Sequence, residues 1–524
     1  MLLLTTAIVF ALAVFHGLSV PQGINADAFY PLTFVGDLGR HEPLLWSVPP
    51  ANFFFPDVFV TGLGYVAGLR GFDNIVLGYG FECAAIFIAG YALLRAGGLG
   101  HLPSLVAAML AVCAAAIYEG GSTILAHTLI VPAHHAGVIA LQLAAAALYL
   151  RYVKSPARRA GIALAAIVAV AVLSDRITLA QFVAPALAGL IWVAGSERKT
   201  VVRDLGVALG AGALAGWLAI WLIDRSGWIH HSNVIPLWEG GVGALLHRVK
   251  LSLLQVPAIT GIGGAVLFGG SYLALVALAV AAMRSKRGPF STLVVFAALL
   301  STASLLTPVV SGLWIDAMAI RYQLPFFIIP LLTIAGLLLQ MVEVPRPERW
   351  AAASFGLLAA LAIAVSVAGP HGVEAADAVA FGEFDGLSAA LARDDPPAVF
   401  SQYWVTKPVL YLSGERVKAC SITDAGEVDP FIANLSWCVD AIRALRSAPP
   451  TLVPFVDYLG RFNQPDLRSE LGPPSKSVDV AGFRVTYYPS SVVREKLGAS
   501  LCSALRAYGR PDAMEGCRIR ISAL

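Results

Sequence analysis

The sequence predicts a polytopic α-helical membrane protein with a soluble α/β or α+β domain after its last membrane helix. Three observations predict it. The chain is 58% hydrophobic and only 13% charged, with a mean hydropathy of +0.75, whereas an ordinary soluble domain carries about a quarter charged residues. About eleven apolar runs come within a few residues of the roughly 20 that a helix needs to cross a bilayer core. From Pro370 to Leu524 the character changes: charges become frequent, apolar runs shorten, and Pro and Gly punctuate the chain. The formal net charge of +3 over 524 residues is too small to argue for nucleic acid as a partner.

In chain order the runs fall near 1–20, 74–94, 102–118, 136–153, 159–174, 177–194, 204–223, 262–283, 290–306, 321–341 and 350–368. Asp175 and Arg176 interrupt the fifth and sixth. The first run lacks a basic leading segment and a clean small-residue cleavage site, so it is read as an uncleaved helix. Lys and Arg near helix ends are retained on the cytoplasmic side. Arg95, Arg151 with Lys154, Arg198 with Lys199, Arg284 with Lys286, and Arg346 with Arg349 follow the even-numbered runs. That places the N-terminus inside, and the long first loop and everything after Gly369 outside. The expected division is a membrane domain over 1–369, with the first outer loop at 21–73, and a periplasmic domain over 370–524.

In the last region PAVFSQYWV, RVKACSIT, TLVPFVDYLG and FRVTYYP read as short strands, and DGLSAALARD, FIANLSWCVDAIRAL and SSVVREKLGASLCSALRAYG as helices. Of the six cysteines, Cys420, Cys438, Cys502 and Cys517 lie here, and an even number in an exported domain favours disulfides. Sequence proximity suggests Cys420 with Cys438 and Cys502 with Cys517, one of three connectivities. The absence of a CxxC spacing argues against a zinc site. Asn434-Leu435-Ser436 matches a glycosylation sequon of a kind that also occurs by chance.

Ionisable residues at membrane-helix ends are costly to desolvate and usually have a function. On the expected outer face stand Asp27, Asp37 and Asp57, then His134 and His135, Asp175 and Arg176, Asp224, His230 and His231, and Arg321 with Tyr322. The inner turns carry almost only Lys and Arg. A hydroxyl is a poor nucleophile at neutral pH, and a carboxylate such as Asp27 is suited to accept its proton during attack. A phosphate leaving group needs a cation, and Arg321 and Arg176 stand at the right helix ends. Tyr30, Trp46 and the Phe53–Phe55 run offer apolar surface for an isoprenoid chain or a sugar face. Each has a structural counterpart. Asp27 and Asp57 also suit helix N-termini, Asp175 and Arg176 an ion pair across a hairpin, and Arg321 and Tyr322 an interfacial anchor. Neighbouring histidines point apart on a helix, which argues against a metal site from either pair alone.

An N-terminal helix, a long outer loop with an early acidic residue, many further helices and a soluble outer domain resemble the GT-C superfamily of membrane glycosyltransferases. Protein O-mannosyltransferases and lipid A aminoarabinose transferases are of this type. The stretches that carry the likeness are Asp27-Ala28-Phe29-Tyr30-Pro31, Leu173-Ser174-Asp175-Arg176 and Ile320-Arg321-Tyr322-Gln323-Leu324-Pro325. One departure is that Asp27 is followed by Ala28, where many members carry two adjacent acidic residues. The resemblance implies a polyprenyl-phosphate-linked sugar as donor and Asp27 at the catalytic centre. Taken with the physical reading above, the expected site has Arg321, Tyr322 and Arg176 at the donor phosphate, and Asp57, Tyr30, Trp46, His134 and Asp175 at the substrate. A divalent metal, Mg or Mn, stays open. The acceptor would be a cell-envelope glycan, a glycolipid or an exported protein, at the outer face of a bacterial inner membrane. The rival readings are a polymerase or ligase of lipid-linked glycans, a secondary transporter or flippase, and a scaffold that displays its outer domain.

Overall fold

The computed structural model describes residues 26–40, 45–48, 51–117, 135–194, 199–227, 229–231, 241–285, 290–311, 321–341, 381–414, 416–423, 425–429, 433–447, 451–457 and 469–507. The expected first and last membrane runs, 1–20 and 350–368, lie outside them, as do His134 and Cys517.

The membrane part begins with a stretch expected to be a loop. Its first segment is instead a helix, α1 (Ala26–Gly39), followed by a short strand β1 (Trp46–Val48), a kinked turn at Phe54–Val58 and helix α2 (Phe59–Val66). The long helices follow: α3 (Gly71–Gly97), α4 (His101–Ile117), α5 (Ala136–Lys154) and α6 (Arg158–Ser174). After a break at Asp175 come a π-helical turn at Leu179–Val183, α7 (Ala184–Ala194) and α8 (Lys199–Ser226). Strand β2 (Ile229–His231) precedes α9 (Gly241–Gly264), and a second π-helical turn at Ala265–Gly269 leads into α10 (Gly270–Ser285). Helices α11 (Ser291–Ser311) and α12 (Leu324–Met341) close this part.

Among the described residues six helices are long and apolar enough to cross a membrane. The expected runs at 102–118, 159–174 and 177–194 form shorter helices; α4 and α6 have 17 residues each. Apolar side chains on α8 and α10 stand exposed, among them Trp217, Leu222 and Leu273, a surface that lipid, not water, would cover. Where helices meet, small residues let backbones approach. A Cβ on Gly212 or Gly216 of α8 would lie 2.5 or 2.6 Å from the Ala165 or Ala169 carbonyl oxygen of α6, so only glycine fits there.

The C-terminal region contains α13 (Phe381–Asp394), β3 (Val399–Ser401), α14 (Tyr403–Leu412), β4 (Ala419–Ser421) and α15 (Leu435–Ser447). It continues with β5 (Leu452–Asp457), β6 (Lys476–Val480), β7 (Phe483–Pro489) and α16 (Ser490–Ala507). The five strands form one mixed sheet in the order β4-β3-β5-β7-β6, with β4, β3 and β5 parallel and β7 and β6 antiparallel. Its core holds Phe400, Phe455, Tyr488 and Leu497. Tyr403–Val405, expected to continue a strand, begin α14 instead. Aromatic and β-branched residues favour strands only weakly, and here burial of a helical face decides. Cys420 and Cys438 form a disulfide. Cys502 is also disulfide-bonded, and Cys83 is a buried thiol.

The two parts are joined by hydrogen bonds. Strand β1 pairs in parallel with β2, and its flanks bond to the C-terminal domain through Ser47 N to Ala433 O at 2.9 Å and Leu435 N to Leu45 O at 3.1 Å.

Candidate active site

The first turn of α1 places Asp27 where a helix N-terminus favours a carboxylate. Asp27 is buried, and Arg321, three residues before α12, brings Nη1 to 3.7 Å from its Oδ2. Arg321 also donates to the Tyr322 hydroxyl at 3.4 Å and lies 5.3 Å from that ring's centroid, while its Nε is buried without a hydrogen bond. Tyr322 is held in turn: Gln181 Nε2 donates to its carbonyl at 2.5 Å, and the His135 ring lies 4.6 Å from its own. His135 Nδ1 pairs with Asp175 at the end of α6, and Asp175 Oδ1 accepts from Ile177 N at 3.0 Å. The first loop is clamped to the same helix end. Phe55 N donates to Ser174 Oγ and Asn52 Nδ2 to the Leu173 carbonyl, both at 3.0 Å.

A narrow polar cleft opens here, lined by His135, Gln142, Asp175, Gln181, Arg321 and Tyr322 with Val138, Ile139, Ile177 and Pro325. Its polar groups come from the starts of α5 and α12 and the break after α6. The basic residues Arg95, Arg151, Lys154, Lys199 and Arg284 occupy the opposite ends of their helices.

Asp27, Arg321 and Tyr322 come together, and Asp175 joins them through His135. Arg176 does not. It turns toward α8, 3.7 Å from Asp224 and 5.7 Å from the Trp217 ring centroid, because consecutive residues at the end of a helix diverge. Tyr30 and Trp46, expected against substrate, are core residues. Tyr30 donates to the Asn52 carbonyl at 3.0 Å, and Trp46 is 0% exposed with its indole N–H 2.9 Å from Asp37. Burial pushes the Tyr30 hydroxyl pKa far up, with the charge of Asp57 adding to it. Asp57 lies buried beside Tyr30 and Glu82. His134 lies outside the described residues; its neighbour His135 lines the cleft. Among the described residues no three His, Cys, Asp or Glu side chains gather in a way that could hold a metal ion.

Asp37 has a different place. Its carboxylate accepts from Trp46 Nε1 at 2.9 Å, Asn434 Nδ2 at 2.7 Å, Trp437 Nε1 at 3.1 Å and Arg40 Nη2 at 2.7 Å. Burial raises its pKa, and these partners oppose the rise. It joins α1 to the C-terminal domain. Asn434 is fully buried in that contact, so the sequon is closed to a glycan in the folded protein.

Two groups from the C-terminal domain complete the surroundings of Asp27. Tyr403 and Lys407, one turn apart on α14, are both buried. The ring centroids of Tyr403 and Tyr30 lie 4.8 and 5.9 Å from Lys407 Nζ.

No protein-family model matches the sequence, and no curated protein matches it. Solved structures do. ArnT from Cupriavidus metallidurans aligns over 94% of this chain and 98% of its own, with a TM-score of 0.54 at 12% identity. The chain shares the fold of that protein. AftD, the mycobacterial arabinofuranosyltransferase, aligns over 91% of this chain and 37% of its own, with a TM-score of 0.50 at 18% identity. At these identities the likeness is one of architecture. In this fold Asp27 stands in the first turn of α1, and the C-terminal sheet region packs against α1 through Asp37 and α14.

Proposed function

We propose that the chain is a membrane glycosyltransferase that moves a sugar from a polyprenyl-phosphate donor to an envelope glycan, a glycolipid or an exported protein. The observation that carries this reading is the buried Asp27–Arg321 pair beside a polar cleft at the mouth of an apolar helix bundle. In the reaction the acceptor hydroxyl oxygen attacks the sugar's anomeric carbon, and Asp27 takes the hydroxyl proton. The bond from that carbon to the phosphate oxygen breaks, and its electron pair leaves on the polyprenyl phosphate, where Arg321 meets the charge. The loose 3.7 Å pair suits an exchange in which a phosphate takes the guanidinium and leaves the carboxylate free as a base. His135, Asp175 and Gln181 hold Tyr322 and the cleft wall in place. The basic turns at the opposite helix ends support an outward-facing site, with the C-terminal domain in the periplasm of a bacterial inner membrane. The GT-C architecture shared with ArnT, a lipid A aminoarabinose transferase, and with AftD supports the same reaction class.

The test compares envelope glycans and polyprenyl-phosphate sugars by mass spectrometry in cells with the native chain, a deletion, and Asp27→Asn at matched membrane levels. Loss of one sugar from an acceptor, with accumulation of its lipid-linked donor in both altered strains, is the expected result. Unchanged glycans and carriers in both strains would sink the transferase reading.

A further inference from the structure

Lys407 is the one lysine among the described residues that is fully buried, and its Nζ makes no hydrogen bond. An ammonium carries three donors, and a buried one with none satisfied is costly unless something else pairs with it. Two aromatic faces, Tyr403 and Tyr30, touch it, and the charges of Asp27 and Asp429 reach it against the burial that lowers its pKa to about 8. None of these fills its donors. Arg321, 3.7 Å from the same Asp27, has its Nε likewise buried without a hydrogen bond. Two cations thus feel one carboxylate with donors left over, one from the turn before α12 and one from the C-terminal region. Such donors call for an anion with several acceptor oxygens.

We propose that the C-terminal domain completes the donor site by delivering Lys407, so that the phosphate of a lipid-linked sugar is held between Lys407 and Arg321. This rests on the transferase reading above. It makes the domain part of the donor site, since its removal would take away one of the two phosphate cations.

The test uses the full chain in lipid nanodiscs, with decaprenyl monophosphate and inorganic phosphate as separate probes. Lys407→Met, Lys407→Arg and Arg321→Gln are compared with the native chain. Native protein is expected to bind the lipid saturably and inorganic phosphate far more weakly. Lys407→Met should lose about 10- to 100-fold in lipid affinity, the scale of a hydrogen bond to a charged group, and Lys407→Arg should recover most of it. Without ligand, Lys407→Met should melt at or above the native temperature, because an unpartnered buried charge has been removed. If Arg321→Gln loses the lipid while Lys407→Met binds it as the native chain does, Lys407 is no phosphate ligand and the transferase reading stands. A lowered melting temperature in Lys407→Met with unchanged affinity marks a structural lysine and overturns the proposal. Equal affinity for inorganic phosphate overturns its lipid-linked part. If the native chain binds no polyprenyl phosphate, the proposal and the transferase reading fall together.

Discussion

Lys407 titrates close to the neutral range because burial pulls its pKa down to about 8 while Asp27 and Asp429 hold it up. The groups facing it are Tyr30 and Asp27 of α1, Tyr403 on its own helix, Asp429, and Arg321 through Asp27. Tyr30 and Tyr403 are pushed well up by burial, so neither ionises in the same window. Decaprenyl phosphate affinity should therefore fall as pH rises from about 7 to 9. Lys407→Arg should flatten that fall, because a guanidinium stays protonated. The stability effect has the opposite sign. With its folded pKa below the ordinary 10.5, the folded chain releases this proton before the unfolded one does, so folding gains as pH rises between about 8 and 10.5. The native melting temperature should rise across that window relative to Lys407→Arg, and a flat difference would count against a buried, charged lysine. The sequence alone nominates Asp27, Arg321 and Tyr322, since rare charges at apolar helix ends stand out. It does not nominate Lys407, because PAVFSQYWV reads as a strand that stops short of it, and nothing in the residues that follow signals the helix that begins at Tyr403. As a helix, α14 sets Lys407 one turn from Tyr403, with the rings of Tyr403 and Tyr30 beside its Nζ.

At the scale of elements, the packing of α8 on α6 sets where Asp175 and Asp224 stand, since each ends one of the two helices. Gly212 and Gly216 face the α6 backbone at 2.5 and 2.6 Å from a built Cβ to a carbonyl oxygen, whereas Gly210 on the same helix meets nothing within 4 Å. Gly212→Val should lower thermal stability in detergent by about 1–3 kcal/mol or more, as overpacking does, and loosen the Arg176–Asp224 pair. Gly210→Ala should leave stability unchanged or slightly raised. Equal losses in both would show that α8 responds to any added side chain rather than to this contact. Hydropathy made the long helices legible, because length and apolar content are what a bilayer selects. It hid α1, whose aromatic and polar composition looks like an interfacial loop until Tyr30, Phe34 and Trp46 are seen packing on one another. It also gave no sign of β6, where four of five residues are exposed.

For the whole molecule, the question is whether the C-terminal domain and the membrane part act as one body. Asp37 is the group on which they meet. The domain alone contributes two of its donors, Asn434 and Trp437, and the first loop contributes Trp46 and Arg40. Asp37→Leu removes the acceptor of two buried indole N–H groups and of the Asn434 amide N–H, at a cost of about 1–3 kcal/mol for each donor left unsatisfied. Asp37→Asn keeps one acceptor oxygen and should fall between. The Cys420–Cys438 disulfide ties β4 to α15, and α15 carries Trp437, so reduction should loosen the same contact from the domain's side. Because α14 reaches Asp27 only while the domain is seated on α1, both changes should weaken polyprenyl phosphate binding while leaving Asp27 and Arg321 in place. Hydrogen exchange over 403–412 and 435–447, with lipid affinity measured on the same samples, checks this. Faster exchange accompanied by weaker binding is the expected pair. Faster exchange with native affinity would mean that the domain sits on the site without contributing to it, and that Arg321 holds the phosphate unaided.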